Sequence, residues 1–163
     1  MLENGLTKIG FGGGCHWCTE AVFQTLRGVS SVNQGFISST KPNEFYSEAV
    51  IVSYDSRIID LNSLIEIHTR THSSTSTHRL RDKYRSAVYY FSDSQSAEAT
   101  QALEKIQTDF TKKIITEILP FVAFKESGEQ YQNYYQQGPE KPFCKLYIDP
   151  KLDRIRTKYS HLV

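Results

Sequence analysis

Three cysteines in 163 residues are too few for a disulfide scaffold, and the number is odd. In a reducing compartment such thiols are free, metal-bound or catalytic. Net charge is also scarce. Charged residues make up 23% of the chain yet leave a formal charge of only +1. That argues against bulk nucleic acid as a partner and leaves peptides and small neutral ligands open. No apolar run approaches the roughly 18 residues that a membrane span needs. The opening "MLENGLTK" lacks the apolar core of a signal peptide. With no repeat, low-complexity segment or linker, the expectation is one domain over residues 1–163, a cytoplasmic monomer long enough to bury a core.

What is present alternates strand and helix patterns. Thr7 to Gly12 reads as a short strand bounded by glycines. Thr19 to Leu26 fits a helix with Ala21, Val22, Phe23 and Leu26 as its apolar stripe, and Gly28 is placed to end it. Val29 to Ser38 and the β-rich "EAVIVSY", Glu48 to Tyr54, read as strands. Asp60 can cap a helix holding Leu61, Leu64, Ile65 and His68. "SAVYYFS", Ser86 to Ser92, is a further strand, and Ser94 to Phe110 a further helix. "IITEILPFVAF" adds one more strand. The strand-helix-strand-strand-helix-strand order predicts an α/β (α+β) fold, a two-layer sandwich with a ferredoxin-like split βαβ core. The tail from Pro139 is irregular apart from a last helix, Pro150 to Tyr159, with proline at its start. The polar run Ser73 to Arg79 reads as one long loop, a place where function often resides.

The chemistry concentrates in "KIGFGGGCHWCTEAVFQTLRG", Lys8 to Gly28. If a strand ends at Gly12 and a helix follows, Gly13, Gly14 and Cys15 form the turn, and Cys15 lies at or just before the helix N-terminus. Unpaired amides and the helix dipole there favour thiolate over thiol. A helix N-terminus after a glycine turn can also bind phosphate, but this one lacks the P-loop Lys-Ser/Thr and the dinucleotide glycine spacing. Zinc would need about four ligands. Cys15, Cys18, Cys144 and one histidine would supply them, but no second CxxC or paired histidine is present, so no metal is expected. The residues alone point to a redox or nucleophilic cysteine.

At these residues the chain resembles the peptide methionine sulfoxide reductase A family. "FGGGCHWCTEAVFQTLRGV" is similar to the family's "GGGCFWCTEAVF" signature. "SEAVIVSYD", "KYRSAVYYF", "SGEQYQNYYQ" and "KPFCKLYIDPKLDRIRTKY" are similar, in order, to later family segments, so the resemblance covers nearly the whole chain. It implies an α/β sandwich with a ferredoxin-like core and sulfur chemistry without a bound cofactor. The substrate would be methionine-S-sulfoxide, free or in peptides and proteins. Cys15 would attack the sulfoxide sulfur and become a sulfenic acid. A second cysteine would condense with it, and thioredoxin, or dithiothreitol in vitro, would restore the thiols.

By the same resemblance Glu48 is the acid that protonates the departing oxygen. It must stay protonated near neutral pH, which burial beside apolar groups favours. Tyr84 matches a tyrosine that hydrogen-bonds the sulfoxide oxygen, and Trp17 matches one wall of a cage for the substrate methyl. Several positions depart from the pattern. His16 stands where the second cage residue is usually Phe. Phe36 replaces a tyrosine, so one oxygen-side hydroxyl is lost. Arg79 stands where a substrate-binding Asp is expected, with His78, Asp82 or His72 as replacements. Tyr131-Gln132 stands for a His-Gln pair. Cys144, in the flexible-looking "GPEKPFCK", is the expected resolving cysteine, with Cys18 as the alternative. Two rival readings are a methyl-sulfur binding module without turnover, and a general thiol-disulfide or peroxide oxidoreductase using Cys15.

Overall fold

The computed structural model describes residues 5–76 and 83–163. His78, Arg79 and Asp82 lie outside the described residues, as does the end of the expected Ser73–Arg79 loop. The elements run β1 (Thr7–Gly12), α1 (His16–Gln24), β2 (Val29–Ser38), β3 (Ser47–Tyr54), α2 (Leu61–Thr71), β4 (Ala87–Tyr90), α3 (Asp93–Gln107), β5 (Glu117–Pro120), β6 (Ala123–Glu126) and α4 (Tyr134–Gln137). A π-helical turn (Cys144–Ile148) then leads into α5 (Asp149–Lys158). The chain is an α/β protein built on a six-stranded mixed sheet.

Local chemistry accounts for most boundaries. Asp60 accepts from the Ser63 amide at 2.8 Å and starts α2; Ser92 accepts from the Gln95 amide at 3.3 Å and starts α3. Such caps satisfy amides that a helix cannot satisfy itself. α1 has no side-chain cap of this kind, and it begins at His16, three residues before the expected Thr19. Its N-cap is Cys15, whose φ of −58° and ψ of 129° are not helical.

The strand order is β5-β4-β1-β3-β2-β6. β4–β1, β1–β3, β3–β2 and β2–β6 pair antiparallel, and β5 runs parallel to β4. The β1-α1-β2 and β3-α2-β4 passes therefore interleave. The segment expected to be one last strand is two, lying on opposite edges of the sheet. Pro120, which has no amide to donate, closes β5. Between the two strands, the Phe121 amide donates to the Tyr90 carbonyl at 2.9 Å and the Val122 amide to the Ser38 carbonyl at 3.1 Å. Two residues thus join the ends of β4 and β2, so the sheet is curled rather than an open layer.

The curl gives two cores. Ile9, Phe11, Val50, Val52 and Val88 pack against Val22 and Phe23 of α1, Leu64 and Ile65 of α2, and Ile155 of α5. At about 1.5–3 kcal/mol per buried large apolar side chain, this core dominates stability. The concave face encloses a smaller core of Ile37, Ala49, Ile51, Ala87 and Tyr89, with Phe124 and Leu119 against it. Gly10 makes the curl possible, because a Cβ there would lie 2.9 Å from Ile37 Cδ1 and from Tyr89 Cβ.

The tail is also more ordered than its composition suggests. Cys144, Ile148, Leu152 and Ile155 repeat at spacings of four, four and three, and all are buried. That is a helical apolar stripe; the last helix falls where it was expected, and the turn at 144–148 extends it over the core where irregular chain was expected. No helix among the described residues is long and apolar enough to cross a membrane.

Candidate active site

The glycine turn joins β1 to α1 and places Cys15 beside the first residue pairs of the sheet. Gly13 has a φ of +145°, and a Cβ there would fall 2.5 Å from the His72 ring, so only glycine lets the chain pass. Cys15 is half-buried and Cys18 and Cys144 are buried; all three are free thiols. The Cys15 carbonyl accepts the Cys18 and Thr19 amides at 3.1 and 3.2 Å, which fixes Cys18 on the first helical turn directly above Cys15.

The two sulfurs titrate as a pair. The Cys18 thiol lies below the ordinary range, first because Cys15 hydrogen-bonds it; burial opposes this and the Lys151 charge supports it. Cys15 is pushed up, first by that hydrogen bond, then by burial and by the Cys18 charge, while the Trp17 amide opposes the rise. The first proton therefore leaves the pair below the ordinary thiol range and the second above it. The helix N-terminus was expected to favour the Cys15 thiolate; with Cys18 hydrogen-bonded to it, Cys15 is instead pushed up and Cys18 is the thiol that lies low.

β3 brings in the carboxylate. Gly12 pairs with Ala49, so Glu48 stands one residue further along, beside the glycine turn, and its partner on the other side is Phe36. Glu48 is 6% exposed. Its Oε1 accepts the His16 amide at 3.4 Å, an α1 donor that has no other cap, and lies 3.3 Å from His16 Nε2. Its Oε2 lies 3.7 Å from Lys83 Nζ. The Glu48 charge reaches both Cys15 and Cys18 and raises each.

Residues 83–86 are strapped to the head of β3. The Lys83 carbonyl accepts the Glu48 amide at 3.0 Å and the Ser47 hydroxyl at 2.8 Å. Tyr84 follows, with Lys83 Nζ 5.1 Å above its ring. The Lys83 ammonium is held above its ordinary range, first by Tyr84 and then by Glu48. His72, the third candidate for the missing Asp, is committed elsewhere: its Nε2 pairs with the Ser86 hydroxyl at 2.7 Å.

The aromatic wall is only partly the expected one. His16 meets Phe36 edge-on at 5.4 Å, and Trp17 lies 6.2 Å from His16. The indole is stacked on Tyr134 at 4.1 Å and 4°, with Phe143 edge-on at 5.5 Å. One face of Trp17 is thus covered from the tail, and among the described residues its Nε1 is buried without a hydrogen-bond partner.

Glu20 fixes that cover. Its buried carboxylate accepts the Asn133 and Tyr134 amides at 2.9 and 3.1 Å and the Gln34 amide group at 2.9 Å. Burial pushes its pKa up and these donors oppose the rise. Sequence reading passed over Glu20, Gln34, Lys83, Tyr134 and Phe143. The available signal was a lone acid, Glu20, inside the apolar run "CTEAVF". Among the described residues, no group of three or more His, Cys, Asp or Glu is arranged to hold a metal ion.

A glycine-turn thiol beside a buried carboxylate, with aromatic rings around it, is equipped for thiol redox chemistry assisted by an acid. The peptide methionine sulfoxide reductase family model matches residues 7–162. The chain belongs to the peptide methionine sulfoxide reductase family. The MsrA of Sulfolobus acidocaldarius is 33% identical over 162 residues, covering 91% of this chain and 92% of that one. In fold the chain is similar to reduced Mxr1 from Saccharomyces cerevisiae, with a TM-score of 0.77 at 24% identity over 88% of this chain and 91% of that one. It is also similar to Mxr1 solved in complex with Trx2, with a TM-score of 0.66 at 24% identity over 80% and 86%. The enzyme is a methionine sulfoxide reductase A, a peptide-methionine (S)-S-oxide reductase.

Proposed function

We propose that Cys15 is the nucleophile and Glu48 the acid of this reductase, and that residues 1–163 form one such domain around a ferredoxin-like core. The observation that carries the reading is the strand register that sets Glu48 beside the Cys15 turn. The thiolate electron pair is given to the sulfoxide, whose oxygen passes to Cys15 as a sulfenic acid while methionine leaves. Glu48 protonates that oxygen as its bond to the substrate sulfur weakens. His16, Trp17 and Phe36 border the substrate methyl, and Tyr84 donates to the oxygen. His78 and Asp82 are the remaining candidates for the substrate-binding position that Arg79 vacates.

The sulfenic acid condenses with a second thiol and water leaves. The sequence favours Cys144 for this step; the geometry favours Cys18. Cys15 sits outside the helix as its cap, so the pair needs no unwinding to approach the roughly 4.4–6.8 Å Cα spacing of a disulfide. Burial pushes the Cys144 thiol up, and attack needs a thiolate. We assign Cys18 as the first resolving thiol, with Cys144 behind it. Thioredoxin is the reductant that the Mxr1–Trx2 complex supports, and dithiothreitol serves in vitro. Substrates are methionine sulfoxide, free or in peptides, and the enzyme works as a cytoplasmic monomer without a bound cofactor.

The test is Cys15→Ser with purified methionine-S-sulfoxide. We expect reduction to vanish with either reductant. Near-normal turnover by that variant would remove Cys15 from the mechanism.

A further inference from the structure

His16 is 8% exposed, and both ring nitrogens have partners. Nδ1 lies 3.1 Å from the Gly35 carbonyl oxygen. A carbonyl only accepts, so Nδ1 carries a hydrogen. In the neutral ring Nε2 is then a bare lone pair, 3.3 Å from Glu48 Oε1, with both side chains under one-tenth exposed. An ionised Glu48 would face it with another lone pair. Two acceptors in contact in a dry environment are unfavourable. A proton between Nε2 and Oε1 resolves the conflict, whether the pair is written as imidazole and carboxylic acid or as imidazolium and carboxylate. The other titratable groups around the pair are Cys15, Cys18 and Glu20 from the turn and α1, and Lys83 on Glu48 Oε2.

We propose that His16 and Glu48 hold one proton in common and that this pair, not Glu48 alone, supplies the proton to the departing sulfoxide oxygen. The inference rests on Glu48 being the acid. His16 reaches the departing oxygen only through Glu48, so in the proton step it is a positioning residue, beside its place at the substrate methyl. Cys15 provides the electron pair, the substrate sulfur is reduced, the oxygen moves to Cys15, and the His16–Glu48 pair gives up one proton. What remains is Nε2 and a carboxylate with no proton between them. That repulsion drives reprotonation from water before the next substrate. The arrangement also fits the two neighbouring departures from the family pattern. Position 36 has lost a hydroxyl and position 16 has gained an imidazole, and their rings touch edge to face.

Two measurements test it. Nitrogen-15 spectra of the resting enzyme should place the hydrogen of neutral His16 on Nδ1, and Glu48→Gln should change the pH at which Nε2 loses its proton. Single-turnover rates should fall about tenfold at pH 8 in His16→Gln and less at pH 6, a fraction of the about 10²–10⁴-fold that general acid catalysis contributes. His16→Phe, which keeps an aromatic ring beside the substrate methyl, should show the same pH-dependent loss, and His16→Phe combined with Phe36→Tyr should recover rate over His16→Phe alone. A neutral His16 protonated on Nε2, or a wild-type pH–rate profile in His16→Gln, would overturn the shared proton. Glu48→Gln separates the two claims. If it is slow while His16→Gln is normal, only the sharing fails; if it keeps the wild-type rate, the assignment of Glu48 fails first.

Discussion

Cys15 and Glu48 are neighbours on unlike supports. Cys15 caps a helix at a three-residue turn and is half-exposed. Glu48 is second in a strand of eight residues, all buried. The difference suits the tasks proposed for them. As the proposed nucleophile, Cys15 must meet a sulfoxide, then a second thiol, then an external reductant, and the exposed turn suits that task. As the proposed acid, Glu48 must stand at one distance from one oxygen, and it is anchored by ladder pairing on both sides, by the His16 amide and by the Lys83 loop.

Breaking the rigid side should have the larger effect. Glu48→Gln keeps the size and hydrogen bonding of the side chain but delivers no proton. We expect single-turnover reduction to slow by about 10²–10⁴-fold at neutral pH, with sulfoxide binding little changed and the loss shrinking toward low pH as solvent acid substitutes. A rapid-quench rate equal to wild type would show that the anchored carboxylate is not the proton source.

The movable side should respond differently. Cys18→Ser should leave the first turnover fast and stop thioredoxin-driven cycling, while dithiothreitol partly restores it by attacking the sulfenic acid. Cys144→Ser should retain more cycling than Cys18→Ser. The reverse order would return the resolving role to Cys144 and mean that residues 144–148 leave the core during catalysis.

Most of the first ninety residues could be read from sequence because their signals are local. Asp60 caps α2 within three residues, and "EAVIVSY" is β-rich along its whole length. α1 began earlier than its pattern suggested because its first amide is capped by Glu48, a carboxylate 32 positions away. The split of the last strand escaped because both halves are apolar, and only the curl of the sheet sends them to opposite edges. Cys15 and Glu48 were legible as residue types in a familiar order. The His16–Glu48–Gly35 contact was not, because it depends on the register of β2 against β3. The Tyr134 cover on Trp17 depends on Glu20 reaching amides more than a hundred residues away.

The smallest effect separates the sheet from the site. Burial pushes the Tyr54 hydroxyl on β3 up to about 12 from the ordinary value of 10.0. With the folded value above the unfolded one, its contribution is present below pH 10 and is lost as pH rises through 12. Tyr54→Phe should flatten alkaline unfolding over that window, followed by circular dichroism, without altering turnover at neutral pH. An unchanged alkaline profile would mean that Tyr54 ionises as freely in the fold as in the open chain.

The central claim is that the oxygen leaves methionine sulfoxide for Cys15. Its most direct test uses the Cys18→Ser, Cys144→Ser double variant, which has no second thiol, mixed with methionine-S-sulfoxide in the absence of reductant. We predict one methionine formed per protein and a sulfenic acid trapped by dimedone on the peptide carrying Cys15. No methionine, or methionine without an oxidised Cys15, would contradict the account.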